Sequence, residues 1–281
     1  MAQPSAVSVV EHAALLAPIR AVLFDMDGVL YRGSTPLPGV NTLWRWLEQR
    51  GIAYALLTNN ASRTQQQAAA HMETLGLPVA PERIISAALA TGVWLRTQAP
   101  PGTLVHCLGM AGLREALFGD GYFVEHTGET GRPDYVVVGV DFEATYAKLR
   151  AATFAIRQGA HFIGTNPDRT FPTEGGLAPG CGALLAALEA ATDVRPIVIG
   201  KPERALFDTA LHLLGTTAAQ TLMVGDRLDT DIAGAAGAGL PTALVLTGVS
   251  TATEAQHFTP APAMVVQDLP ALLAIWQEAT A

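Results

Sequence analysis

The sequence predicts an α/β protein built on a mostly parallel sheet and interrupted by a second α/β unit. Three observations carry that expectation. Strand-like and helix-like segments alternate along all 281 residues. Four short apolar runs each end in a polar loop: Ala21-Val22-Leu23-Phe24, Ala53-Tyr54-Ala55-Leu56-Leu57, Pro196-Ile197-Val198-Ile199-Gly200 and Thr221-Leu222-Met223-Val224-Gly225. Between the second and third runs lies a stretch with strands and helices of its own. The expected organisation is therefore a core of residues 1–86 and 195–281 and an insert of residues 87–194.

In chain order, each of the first two strands is followed by a helix, at Leu43–Gln49 and Thr64–Leu75, with Gly51 and Gly76 as stops. The insert offers strands at Leu104–Leu108, Tyr135–Val138 and His161–Gly164, and helices at Leu113–Phe118, Ala144–Gln158 and Cys181–Ala191. After it come a helix at Leu206–Leu214, a strand at Leu222–Val224, a helix at Asp229–Ala238 and a strand at Thr242–Leu246. The tail Leu269–Thr280 reads as a final helix packed through Leu272, Leu273 and Trp276.

Composition narrows the class. The chain is 49% apolar and 15% charged, with a formal net charge of -8, as expected of a globular α/β protein. No Lys/Arg cluster offers a track for a phosphate backbone, which argues against nucleic acid as a partner. No apolar run approaches the ~20 residues of a membrane span. The first twenty residues lack a basic start and a sustained apolar stretch, so no signal peptide is expected and the cytoplasm is the expected location. Cys107 and Cys181 are too few for a disulfide framework or a zinc site and read as reduced structural residues. The seven histidines form no ligand-spaced cluster.

The chemistry is concentrated where the four runs stop. Asp25-Met26-Asp27-Gly28-Val29 follows the first run. In extended backbone residues i and i+2 face one side, so Asp25 and Asp27 are expected to share a pocket. Two carboxylates that close need a cation or a shared proton, although Asp-x-Asp-Gly is also ordinary turn chemistry. The second run leads into Thr58-Asn59-Asn60-Ala61-Ser62, the third into Lys201-Pro202, the fourth into Asp226-Arg227-Leu228-Asp229-Thr230-Asp231. In open α/β sheets ligands bind outside the carboxyl ends of the strands. Carboxylates, a hydroxyl, amides and one lysine at four such ends suit phosphoryl transfer.

These segments, in this order, resemble the four motifs of the haloacid dehalogenase (HAD) superfamily of phosphatases, over essentially the whole chain. Asp25 and Asp27 match the first motif, Thr58 the second, Lys201 the third, and Asp226 with Asp231 the fourth. The wording Asp-x-Asp-Gly-Val-Leu-Tyr, Leu-Thr-Asn-Asn, Gly-Lys-Pro and Gly-Asp-Arg-Leu-x-Thr-Asp-Ile is similar to subfamily IIA. That branch holds 4-nitrophenyl, pyridoxal phosphate and phosphoglycolate phosphatases and the sugar-phosphate phosphatase of amino-sugar operons. The resemblance implies a Rossmann-like core, an α/β cap at residues 87–194, and hydrolysis of small phosphate monoesters with Mg²⁺ through an aspartyl-phosphate.

It also implies roles. Asp25 is the nucleophile and Asp27 the general acid and base. Asp25, the Asp27 carbonyl and Asp226 hold the metal. Asp231 orients Lys201 or a metal-bound water, or else simply favours a helix dipole. Thr58 and the amides of Asn59 and Asn60 bind the phosphoryl group, and Lys201 offsets its charge. The cap segment Gly164-Thr165-Asn166-Pro167-Asp168, followed by Thr173-Glu174-Gly175-Gly176, resembles a substrate-facing loop. Asn166 and Asp168 are thus expected at the leaving group, against plain turn chemistry as the alternative. Asp229 reads as an N-cap. The expected partner is a small phosphorylated metabolite, with a homodimer through the cap as an assembly to test. The motifs leave open a phosphotransferase or mutase, or a phosphate-binding protein without turnover, and do not choose the substrate.

Overall fold

Ala21–Phe24 is buried along its whole length and forms the centre of a parallel sheet. It pairs on one side with Thr221–Gly225 and on the other with Ala53–Thr58, in the register Phe24↔Val224 and Phe24↔Leu56. Thr242–Val245 and Met264–Val266 extend the sheet beyond 221–225, all parallel. Strands covered on both faces read as unbroken apolar runs, which is why they were visible in the sequence. The computed structural model describes residues 9–128, 132–173 and 175–280. Part of the segment read for a leader, and Glu174, lie outside the described residues.

The chain packs as two compact units, Met1–Leu57 with His71–Val79 and Ala210–Ala281, and Thr58–Ala70 with Ala80–Thr209. In the first unit the helix Val40–Gln49 buries Val40, Leu43, Trp44 and Leu47, one stripe at helical spacing. Trp44 stacks on Tyr54 at 5.0 Å, and Trp46 meets Trp276 of the helix Leu269–Ala279 at 5.5 Å. Leu272, Leu273 and Trp276 are buried as expected. Gly51 and Gly76 stand at φ 67° and 70°, the left-handed position that ends a helix.

The second unit has its own parallel sheet, ordered Ile197–Val198, His161–Gly164, Tyr135–Val138, Leu104–Leu108, Val124–Glu125. The helices Tyr146–Arg157 and Cys181–Thr192 cover one core cluster that includes Leu108, Val136, Phe162 and Cys181. The expected strand 196–200 is shorter than its apolar run: only Ile197–Val198 pairs, as an edge strand of this sheet, and Ile197 is 51% exposed. An edge strand with one neighbour needs less burial than a central one.

Three further differences have local causes. Ala87–Gln98 is a helix that the sequence reading left unassigned, because it is apolar on all sides and shows no stripe. Gly92 lets it approach the helix Ala111–Phe118 closely, since a Cβ there would lie 2.5 Å from the Ala116 carbonyl oxygen. The expected helix 229–238 is instead a π-helical segment, Leu228–Ile232, followed by the short helix Ala233–Gly237. Asp229 does not cap it; its carboxylate pairs with Arg227 at 3.1 and 2.9 Å, which holds the carboxyl below its ordinary pKa.

Candidate active site

The fourth and first motifs meet because their strands are adjacent. The ladder continues one residue past the first strand, with Asp25 N–H donating to the Val224 carbonyl at 2.9 Å. Asp226 begins the loop after Gly225. The π-helical turn then brings Asp231 back, with both Asp231 and Ile232 N–H groups donating to the Arg227 carbonyl. Carboxylate oxygens of Asp25, Asp226 and Asp231 lie within 4.8 Å of one another. Asp226 and Asp231 are each 1% exposed.

Backbone donors fix these carboxylates. Asp231 Oδ2 accepts N–H groups of Asp226 and Arg227 at 3.2 and 3.1 Å. Asp226 Oδ2 accepts the Val249 N–H at 2.8 Å, and its carbonyl accepts the Ser250 N–H at 3.0 Å. Glycines admit the cluster: a Cβ on Gly28, Gly248 or Gly225 would lie 2.5 Å from Asp226 Oδ2, 1.9 Å from the same oxygen, or 2.3 Å from Asp231 Cβ. Gly28 is also at φ 83°, a conformation that disfavours side chains. The sequence reading missed Gly248-Val249-Ser250; a glycine just past the 242–245 strand was the available signal.

Three carboxylates this close, two of them out of water, repel strongly unless a cation joins them. The oxygen-only donor set suits Mg²⁺, which takes carboxylates and keeps several waters. The residues present therefore fit the metal, and Asp231 belongs to the acidic cluster itself.

Asp27 is not one of the three residues of that cluster. The strand ends at Phe24, the backbone bends at Met26, and Asp27 forms an isolated bridge with Tyr31. Asp27 is raised above the ordinary carboxylate range, chiefly by desolvation, with the Gly28 and Gly33 N–H groups and Arg32 opposing.

The second unit carries the remaining predicted residues. Lys201 is buried at 3% exposure. Asn59 reaches it with its side chain: Oδ1 accepts the Lys201 N–H at 2.8 Å and Nδ2 donates to the Lys201 carbonyl at 3.0 Å. Asn59 Nδ2 also donates to Asp168 Oδ2 at 3.1 Å. The Thr58 hydroxyl accepts the Asn60 N–H at 3.1 Å, and Asn60 Oδ1 accepts from Ser62, so this loop has the turn bonding its composition suggests.

Asn166, expected at the leaving group, is 4% exposed and already engaged. Its Nδ2 donates to the Asn59 carbonyl at 2.8 Å and its Oδ1 accepts the Asp168 N–H at 3.2 Å. Burial with both amide ends in use makes it an internal tie. Asp168 is half-buried and bonded to Asn59.

Sequence and structure comparisons give the family of the chain. A family model described as haloacid dehalogenase-like hydrolase matches residues 22–122, and a second, HAD-hydrolase-like, matches 198–272. An acid sugar phosphatase of Staphylococcus aureus is 38% identical over 250 residues, covering 89% of this chain and 95% of that protein. A glycerol phosphate phosphatase of Mycobacterium tuberculosis, solved with magnesium, superposes with a TM-score of 0.85 at 36% identity, over 92% of this chain and 77% of that one. A 4-nitrophenylphosphatase of Thermotoga maritima does so with 0.84 at 29% identity, over 95% and 98%. With its acidic cluster at the ends of adjacent parallel strands and relatives matched along nearly its full length, the chain belongs to the haloacid dehalogenase-like hydrolases.

Proposed function

We propose that the protein hydrolyses small phosphate monoesters, with Asp25 as nucleophile and Asp27 as proton donor and acceptor. It is a magnesium-dependent phosphoric monoester hydrolase. The single observation that carries the reading is the packing of Asp25, Asp226 and Asp231 within 4.8 Å at adjacent strand ends. Asp25, the Asp27 carbonyl and Asp226 would hold the ion, with Asp231 behind them. When bound, Mg²⁺ neutralises the carboxylates and draws charge from the phosphoryl oxygens.

An Asp25 carboxylate oxygen bonds to phosphorus as the ester oxygen departs. Asp27, whose carboxyl desolvation shifts upward, is assigned the proton that goes to the leaving alkoxide. The resulting Asp27 carboxylate then takes a proton from water. The hydroxyl oxygen bonds to phosphorus, the aspartyl–phosphorus bond breaks, and inorganic phosphate leaves with Asp25 restored. Lys201, Thr58 and the amides of Asn59 and Asn60 are assigned to phosphoryl charge by their places in the motifs. Asp168 is assigned to the leaving group, and Asn166 to the support of its loop.

Residues 87–194 act as the cap. Relatives named for sugar phosphate, glycerol phosphate and nitrophenyl phosphate support a sugar- or polyol-phosphate substrate. Homodimerisation through the cap is supported by the exposure of Phe142, Tyr146 and Leu177 and is testable by light scattering. Among the described residues no helix is long and apolar enough to cross a membrane, and both cysteines are free, in keeping with our cytoplasmic assignment.

The test is a phosphate-release screen over sugar, polyol, glycolate, nucleotide and pyridoxal phosphates with and without Mg²⁺. Free phosphate without a phosphorylated acceptor separates hydrolysis from transfer. Asp25→Asn should remove nearly all turnover with the fold intact; wild-type rates for that variant would refute the mechanism.

A further inference from the structure

We propose that Asn59 is a positioning residue for Lys201, and that its side chain makes the lysine and the Asn166-Pro167-Asp168 turn one mechanical element. The inference rests on the reading of Lys201 as the cation of the reaction.

One planar amide satisfies both backbone groups of a single residue. Asn59 Oδ1 takes the Lys201 N–H at 2.8 Å while Nδ2 gives to the Lys201 carbonyl at 3.0 Å. Two bonds in one plane remove the freedom of the peptides on either side of the lysine. The edge strand ends at Val198, and its backbone bonding runs on through the Ile199 and Gly200 N–H groups to the Gly164 and Thr165 carbonyls, up to the residue before Lys201. The Asn59 side chain takes the place of a strand neighbour. Gly200 permits the approach: a Cβ there would lie 2.6 Å from Asn59 Oδ1 and 2.6 Å from the Thr165 carbonyl oxygen.

The same amide reaches the turn. Asn59 Nδ2 donates to Asp168 Oδ2 at 3.1 Å, and Asn166 Nδ2 donates to the Asn59 carbonyl at 2.8 Å. Gly200 N–H donates to the Thr165 carbonyl at 2.8 Å, so the turn and the lysine segment are joined twice. Lys201 and Asn166 are almost wholly buried, where a lost hydrogen bond leaves its partner unpaid by water. Asn59 thus acts on the reaction through where Lys201 starts, and any change at residue 168 is felt at the lysine. A displacement of about 1 Å in such a group can cost up to about a hundredfold in rate.

A double-mutant cycle on the full-length protein tests this, with kcat and KM measured on 4-nitrophenyl phosphate. Asn59→Ala should lower kcat by about tenfold or more and change KM less, because the lost bonds set the geometry of a charge used in the transition state. In the Lys201→Ala background, Asn59→Ala should lower kcat by less than about threefold, since the group it positions is gone. Equal losses in both backgrounds, or a loss confined to KM, overturn the inference. A Lys201→Ala enzyme with near-normal kcat also overturns it, and identifies the lysine assignment as the fault.

Exchange of the pair covers the case in which Asn59→Ala does not fold. Asn59→Asp places a second carboxylate against Asp168 and should lose activity. Asn59→Asp with Asp168→Asn restores the donor–acceptor contact with the turn but not the bond to the Lys201 carbonyl, so it should recover part of the kcat lost in Asn59→Asp alone. No recovery would count against the coupling of turn and lysine.

Discussion

Gly248 shows how much of the site is decided by atoms that are missing. A Cβ at this position would lie 1.9 Å from Asp226 Oδ2 and 2.4 Å from Asp226 Cβ. The aspartate cannot yield without losing the Val249 N–H that holds it. Gly248→Ala should raise the Mg²⁺ concentration for half-maximal activity by about tenfold and destabilise the fold by about 1–3 kcal/mol, the usual range for overpacking. An unchanged metal titration would refute it. Asn166→Ala should lower activity on all substrates alike, with a lower Tm, because the side chain is an internal tie. A loss on one ester and not on an aryl phosphate would return Asn166 to the leaving group. Asp25 and Asp226 were legible in the sequence because each directly follows a buried strand. The task of Asn59 was not, since its partners lie 109 and 142 positions away and only folding brings them within reach.

At the scale of elements, strands with a continuous apolar run were read well and elements without one were read poorly. Tyr135–Val138 and His161–Gly164 were predicted to the residue, being continuous apolar runs. The hairpin Thr170–Thr173 with Gly176–Pro179 has no such run and went unassigned. The helix Ala252–His257 was missed although its signal is present: Thr251 and Glu254 form a capping box, and those bonds hold Glu254 below its ordinary pKa. The two cysteines give this scale a pH-dependent test. Desolvation pushes the Cys107 thiol up to about 12 and raises Cys181 as well, where Cys181 sits in the second unit's core. A raised thiol pKa means less thiolate at any given pH, so only about one Cys107 in ten thousand is ionised at pH 8. Alkylation of the folded protein at pH 8 should be far slower than in denaturant, and should accelerate about tenfold per pH unit. Fast, complete labelling at pH 8 without unfolding would contradict the raised pKa of Cys107 and the burial of Cys181.

For the whole molecule, a bound cation that relieves three crowded carboxylates stabilises the folded state over the unfolded one. Mg²⁺ at a hundred times its dissociation constant contributes about 2.7 kcal/mol. Its addition should raise the Tm by about 5–10 °C. Asp226→Ala should abolish the increase and raise the Tm of the metal-free protein, because a buried like charge is gone. A metal response that survives Asp226→Ala would move the ion elsewhere. The sequence suggested an insert at residues 87–194 from a repeat of alternation in the middle of the chain. The second compact unit has other edges, since it also gathers 58–70, 80–86 and 195–209.

The pairing of Ala21–Phe24 has a consequence for a chain still being made. One of its neighbours, Ala53–Thr58, emerges about thirty residues later, but the other, Thr221–Gly225, emerges about two hundred residues later. The second unit lies within residues 58–209 and is fully synthesised before that partner exists. A ribosome that stalls anywhere in between releases a product that carries Asp25 without Asp226 or Asp231. On the proposed mechanism such fragments are inert, and the acidic cluster is complete only with the last quarter of the polypeptide.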